Sequence, residues 1–224
     1  MKIRDLIKNH EEPDEETEEG ALTLVSEDNV WSPETLTFYG PSSRSILVSG
    51  PISDTTANAA ISQILSLTSE SETLPIFVYI NTDGGEITAG LAIYDMMRIT
   101  PCPVVTIVMG KCHSAGLFIL QGGDKRVATT HASFFYHEPI SGFHTDSEQN
   151  VKTYMDLYKL HKDRIEAVLQ TRAKISKTTW KKFFDGKTAF YFDTTEALNF
   201  KLIDEVIDYA KPKPIKVKLE ELQV

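Results

Sequence analysis

Residues 76–85 have the sequence IFVYINTDGG, which joins a short apolar run to a glycine-bearing turn and is the clearest indication of the fold. The run from Ile76 to Ile80 has no polar alternation, which predicts a strand buried on both faces. The two glycines at its end predict a tight turn, and residues 90–98 continue with helical spacing. A buried strand, a turn and a helix form the first half of a parallel crossover unit.

The same alternation extends in both directions from this unit. Apolar runs at residues 45–49 and 104–109 predict two more strands, while residues 57–65 and 115–120 have helical spacing. Strands that alternate with helices pair in parallel through crossovers, so we predict an α/β layered domain.

A long helix is predicted for residues 151–172, because apolar side chains recur there at helical spacing without a break. Twenty-odd residues give about 30 Å of helix, which on a domain of this size packs against something large, such as a partner subunit. Beyond it we predict short helices at 178–184 and 195–200 and a closing strand at 203–207. We place an acidic, flexible arm at 1–30, the main domain at 31–210 and a loose tail at 211–224.

The formal net charge of −9 disfavours a nucleic-acid surface. No apolar run reaches the roughly 18 residues that cross a bilayer, and residues 1–7 lack the apolar core of a secretory signal, so we expect no membrane partner and a cytoplasmic location. The cysteines, Cys102 and Cys112, lack the spacing of a zinc site or a disulfide framework, so we expect two reduced thiols.

Two turns follow apolar strands, where α/β sheets place their chemistry. Residues 81–85 have adjacent glycines that can point amides into a cleft and hold an oxyanion, although such a pair also makes an ordinary tight turn. Residues 110–116, GKCHSAG, place Ser114 where a strand leads into a helix, next to helix amides that favour negative charge. A serine there is equally suited to be the helix N-cap.

A serine nucleophile needs a base, and His137 is our candidate because an extended segment ends there and a loop begins. Its position also fits a structural histidine. His113 is secondary, since adjacent side chains rarely face each other. We assign no chemistry to the remaining histidines: His10, His131, His144 and His161.

The sequence resembles the Clp protease proteolytic subunit (ClpP, peptidase family S14). The resemblance is carried by the segment 78–95, the turn Ser114-Ala115-Gly116, the segment His137-Glu138-Pro139 with Gly142 behind it, the long helix, and Glu196-Ala197 followed by Leu202-Ile203-Asp204. These motifs run from about residue 45 to 207 in the family's order and at similar spacings.

The resemblance implies Ser114 as nucleophile, His137 as general base, and the amides of Gly85 and Ala115 as oxyanion hole, with no metal or organic cofactor. It implies a crotonase-like fold of ClpP type with a protruding handle helix at about 147–172. It also implies a homo-oligomer of two stacked heptameric rings, substrates that are unfolded polypeptides or peptides, and an AAA+ unfoldase as partner. The acidic arm departs from the family's pore-lining segment.

The family's third catalytic group, an aspartate seven residues before the glutamate that matches Glu196, is replaced here by Ala189. Asp193 fits a helix capping box better than a catalytic role, and Asp185 would need a rearranged loop. Ala189 therefore leaves open a catalytically weak or inactive structural subunit of a Clp-type ring. A crotonase-type acyl-CoA enzyme is a further alternative, since the resemblance implies a crotonase-like fold and such folds share the two-amide oxyanion hole.

Overall fold

The computed structural model describes residues 36–38, 44–138, 147–172, 178, 189–207 and 215–217. The predicted arm at 1–30 and all but the first residue of the helix predicted at 178–184 lie outside these residues. Residues 215–217, which lie in the predicted tail, form a strand that pairs antiparallel with residues 36–38.

The predicted alternation of strands and helices is present. The strands are β1 (Leu36–Phe38), β2 (Ser45–Ile52), β3 (Ile76–Gly85), β4 (Val104–His113), β5 (Lys125–Thr129), β6 (Ser133–His137), β7 (Ala189–Phe192), β8 (Glu205–Ile207) and β9 (Ile215–Val217). The helices are α1 (Asp54–Glu70), α2 (Ile87–Ile99), α3 (Gly116–Gln121), α4 (Glu148–Arg172) and α5 (Thr194–Asn199).

The main sheet has the order β2-β3-β4-β5-β8, and all neighbours on this path are parallel, as predicted. Besides β3, β4 has two further neighbours: its residues 105–108 pair with β5, and its residues 111–113 pair with β6. β7 then pairs with β6 in the antiparallel sense. β6 and β7 therefore lie beside the carboxyl end of β4, where Ser114 follows.

The core forms where the apolar runs predicted it. Ile76, Val78 and Ile80 of β3 are almost fully buried, because helices cover the parallel part of the sheet. α1 contributes the buried stripe of Ala57, Ala60, Ile64 and Leu67, which recurs at helical spacing. Cys102 and Cys112 are both buried free thiols.

The buried apolar side chains of helix α4 lie in its second half. Ile165 and Leu169 are buried, whereas five large apolar side chains of the first half are 40–51% exposed: Val151, Tyr154, Met155, Leu157 and Leu160. The start of the helix therefore projects with an uncovered apolar surface. None of the helices in the described ranges combines the length and apolar content required to cross a membrane.

Candidate active site

Ser114 has a strained main chain that a capping serine does not need. Its φ is +51°, in the left-handed region, which costs a residue other than glycine on the order of 1–3 kcal/mol. Its N–H donates to the carbonyl of Phe135 over 2.8 Å, and its carbonyl accepts from Leu117 over 3.0 Å, so β6 and α3 hold it in place. The N-cap of α3 is Ala115, so the interpretation of Ser114 as an N-cap is wrong.

The glycine turn at the end of β3 packs directly against Ser114. Gly84 has a φ of +97°, and a Cβ on it would lie 2.6 Å from the Cβ of Ser114 and 3.0 Å from the main-chain nitrogen of Ala115. A Cβ on Gly85 would collide with the main chain of Ile52. Gly84 is therefore required for contact between the two turns, and Gly85 is required for the close approach of this turn to β2.

His137, the last residue of β6, lines the same cleft as Ser114 and Gly85. The cleft has a volume of about 560 Å³. Its walls combine apolar side chains with two carboxylates; the other lining residues are Ile52, Asp83, Gly84, Glu86, Ile87, Phe118 and Ile165. Sequence motifs 23 residues apart thus meet at one cleft, although no hydrogen bond joins the described Ser114 and His137 side chains.

The imidazole of His137 has a defined partner. Its Nδ1 lies 2.7 Å from the carbonyl oxygen of Glu138, and its ring rests against Phe135 with centroids 5.5 Å apart. A carbonyl oxygen can only accept, so Nδ1 carries the proton and Nε2 is left as the basic nitrogen. That tautomer is the one a general base needs when Nε2 receives the proton.

Ala189, where the resemblance led us to expect an aspartate, lies directly across from His137. Ala189 in β7 pairs with His137 in register, and such cross-strand neighbours have Cβ atoms about 4.5–5.5 Å apart. Asp193 is the N-cap of α5: its carboxylate accepts from Glu196 N–H over 2.9 Å, and Glu196 accepts from Asp193 N–H. Asp193 is therefore committed to the predicted capping box, and Asp185 lies outside the described residues.

A second polar cluster lies beside the cleft. His113 Nδ1 is 3.3 Å from Asp83 Oδ1, its Nε2 is 3.1 Å from Ser133 Oγ, and Lys111 also binds Asp83. Both ring nitrogens are engaged, so His113 is not poised to serve Ser114. This carboxylate, imidazole and hydroxyl nevertheless follow the order of a catalytic triad, which makes Ser133 the natural control for Ser114.

The pKa of His113 lies below its usual 6.5, chiefly because burial disfavours the charged ring, with a smaller opposing effect from Asp83. At a pH between the folded-state pKa and the unfolded-state pKa of His113, the unfolded chain binds more protons than the folded chain. The contribution of His113 to stability is therefore full above pH 6.5 and is lost as the pH falls through its lowered folded-state pKa.

We expect the free energy of unfolding to fall between neutral pH and pH 5, and part of this fall to disappear in His113→Gln. Denaturant titrations at several pH values measure the free energy of unfolding of the wild type and of His113→Gln. His161→Gln on α4 is the matched control. A pH dependence that is identical in wild type and His113→Gln would contradict this assignment.

Sequence reasoning missed Glu138, although the residue follows His137 directly. Its carboxylate binds Lys162 Nζ of α4 over 2.9 Å and lies 3.4 Å from the hydroxyl of Tyr158. These partners are 20 and 24 residues away in the chain, so no local pattern reveals them. In the described part of the chain, no group of His, Cys, Asp and Glu side chains is arranged to hold a metal ion.

Comparison with known proteins shows the family and the fold of this chain. A family model described as Clp protease matches residues 38–210. The chain is 35% identical over 173 residues to an ATP-dependent Clp protease proteolytic subunit 2 of Prochlorococcus marinus, covering 74% of this chain and 83% of the relative. A protein of the same name from Corynebacterium glutamicum is 36% identical over 179 residues, covering 76% and 84%.

Among solved structures, a ClpP1 mutant from Listeria monocytogenes matches with a TM-score of 0.65 at 24% identity. The match covers 74% of this chain and 91% of that one, and it shows a shared fold.

Proposed function

The chain belongs to the Clp protease family, and from that premise we propose that it is a serine endopeptidase subunit acting through Ser114 and His137. Its fold is the α/β fold of ClpP type. The observation that carries the proposal is Ser114 itself, whose main chain is held in a left-handed conformation at a cleft shared with His137 and the glycine turn. Ser114→Ala is therefore the decisive substitution.

The proposed chemistry is acyl transfer. Ser114 Oγ attacks the carbonyl carbon of a peptide bond while His137 Nε2 takes its proton, and the carbonyl oxygen becomes an oxyanion. His137 then gives the proton to the leaving amine, and the carbon–nitrogen bond breaks to leave an ester on Ser114. Water, deprotonated by His137, hydrolyses this ester and frees the serine. The reaction needs neither a metal nor an organic cofactor.

The amides of Gly85 and Ala115 are the proposed oxyanion donors. Ile52 accepts from the N–H of Glu86 over 2.9 Å, and successive amides of a strand point to opposite sides. On this basis we propose that the amide of Gly85 faces away from β2, toward the side of β4 and Ser114. Ala115 directly follows the nucleophile, so its N–H belongs to the same turn.

The projecting half of α4 supports self-assembly. Its exposed apolar side chains, Val151, Tyr154, Met155, Leu157 and Leu160, form a surface of the kind that marks protein interfaces. We propose a second copy of this chain as the occupant, in two stacked heptameric rings that enclose the clefts. An AAA+ unfoldase would feed unfolded polypeptides into this chamber, in the cytoplasm.

Hydrolysis of a fluorogenic peptide and of an unfolded protein by the purified chain tests the proposal, with sedimentation measuring assembly in the same samples. We expect a large particle with low but measurable peptidase activity. The rival structural subunit, which Ala189 favours, would assemble without hydrolysing either substrate. An acyl-CoA enzyme would bind a CoA thioester, which we expect this chain not to do.

A further inference from the structure

We propose that Glu138 is a positioning residue of the hydrolytic site: clamped by Lys162 and Tyr158, its main-chain carbonyl replaces the missing third group and holds His137 in the Nδ1–H tautomer. This inference rests on the function proposed above and deepens it. The residue that orients His137 is then Glu138, and not Asp185 or Asp193, the two aspartates considered from the sequence.

The first step is the bond itself. His137 Nδ1 lies 2.7 Å from the Glu138 carbonyl oxygen, which is a good hydrogen-bond distance. Across β7, the position that faces His137 is occupied by Ala189, whose methyl group accepts nothing. In the described residues the carbonyl of Glu138 is thus the acceptor that fixes the imidazole tautomer.

The second step concerns how the carbonyl is held. Glu138 directly follows the last residue of β6, and in the described residues the β6–β7 ladder runs as far as the His137 and Ala189 pair. Its side chain is held from helix α4. Lys162 Nζ binds one carboxylate oxygen over 2.9 Å, and the Tyr158 hydroxyl lies 3.4 Å from the other. Both carboxylate oxygens therefore have donors on one face of a helix, since residues 158 and 162 are one turn apart.

The third step concerns the strength of this clamp. The Lys162 and Glu138 side chains are only 30% and 25% exposed, so solvent screens their attraction less than it screens a surface pair. The hydrogen bond to Glu138 raises the pKa of Lys162, which keeps it charged. Burial, and then the charge of Glu138, raise the pKa of Tyr158, which keeps its hydroxyl as a donor. Near neutral pH the carboxylate keeps both donors.

A carbonyl differs from a carboxylate in what it supplies. It selects the catalytic tautomer of His137, but as a neutral acceptor it stabilises the imidazolium less than a charged group does. We therefore expect an enzyme in which His137 is correctly oriented but turnover is slow. If a carboxylate introduced opposite His137 orients the imidazole instead, loss of the contact between Lys162 and Glu138 should no longer lower the activity.

The test measures kcat and KM for peptide hydrolysis in Lys162→Met, which keeps the stem of the side chain and removes the charge. We expect kcat to fall roughly tenfold or more with KM unchanged, because a misplaced base slows the chemistry. Lys162→Arg, which keeps a cation, should retain most of the activity. Lys159→Met, on an exposed part of the same helix, is the matched control and should match wild type.

Two further experiments test the clamp on Glu138 separately from the proposed function. In an Ala189→Asp background, Lys162→Met should change kcat less than twofold; a loss as large as in the wild-type background would overturn the clamp. Solid-state ¹⁵N NMR of histidine-labelled assembled protein, with His137→Gln to assign the signal, should show the Nδ1–H tautomer in wild type and a mixture in Lys162→Met. An unchanged tautomer would overturn the clamp even in a protein that hydrolyses no peptide, whereas absent hydrolysis alone contradicts the proposed function.

Discussion

Ser114→Ala is expected to lower kcat for peptide hydrolysis by at least about 10³-fold while the protein still assembles. The substitution removes only the hydroxyl, and the main-chain bonds of Ser114 to Phe135 and Leu117 stay available. The loss is therefore chemical and not structural. Peptide hydrolysis and sedimentation of the same preparation measure the two effects separately.

Ser133→Ala is the control for this prediction. Ser133 also lies beside an imidazole, with its Oγ 3.1 Å from His113 Nε2, and His113 in turn contacts Asp83. If the cleft lined by Ser114 and His137 is the site, Ser133→Ala keeps activity within a few-fold of wild type. Loss of hydrolysis in Ser133→Ala, with wild-type turnover in Ser114→Ala, would move the chemistry to the second cluster.

Ala189→Asp is expected to raise kcat by roughly 10²-fold. Replacing the triad aspartate by asparagine lowers turnover by about 10⁴ in a serine protease, because the amide selects the wrong imidazole tautomer. Here the Glu138 carbonyl already selects the right tautomer, so the gain should be smaller than that factor. An aspartate at 189 would add a negative charge directly across from His137.

Ala189→Asn is the matched control, since asparagine has almost the same shape and carries no charge. Its amide can donate as well as accept, so we expect no gain in kcat and at most a loss. Ala189 is exposed, and neither side chain displaces core packing. An asparagine variant as active as the aspartate variant, or an aspartate variant no faster than wild type, would contradict the electrostatic account.

The parallel part of the fold is predictable because each element carries its own periodicity. The apolar run of β3 and the stripe of α1 follow directly from burial, and both are where the sequence predicts them. The short strands β5 and β7 escaped prediction. β7 owes its extended form to its ladder with β6, and β5 to its pairing with β4 and β8, which are interactions between distant residues.

Those residues of the site that lie in sequence motifs were predictable. Ser114, His137 and Gly85 were identified from their turns and the resemblance, and the structure places all three at one cleft. The left-handed conformation of Ser114 and the clamp on Glu138 were not predictable. Both depend on contacts across the fold, namely the bond to Phe135 of β6 and the ion pair to Lys162 of α4.

The most direct measurement is to treat the assembled protein with a fluorophosphonate and to identify the modified residue by peptide mass spectrometry. Such a probe forms a covalent bond with a serine only when that serine is activated as a nucleophile. The account predicts modification of Ser114, and none in His137→Ala. An assembled protein in which Ser114 stays unmodified, or in which another serine carries the label, would contradict it.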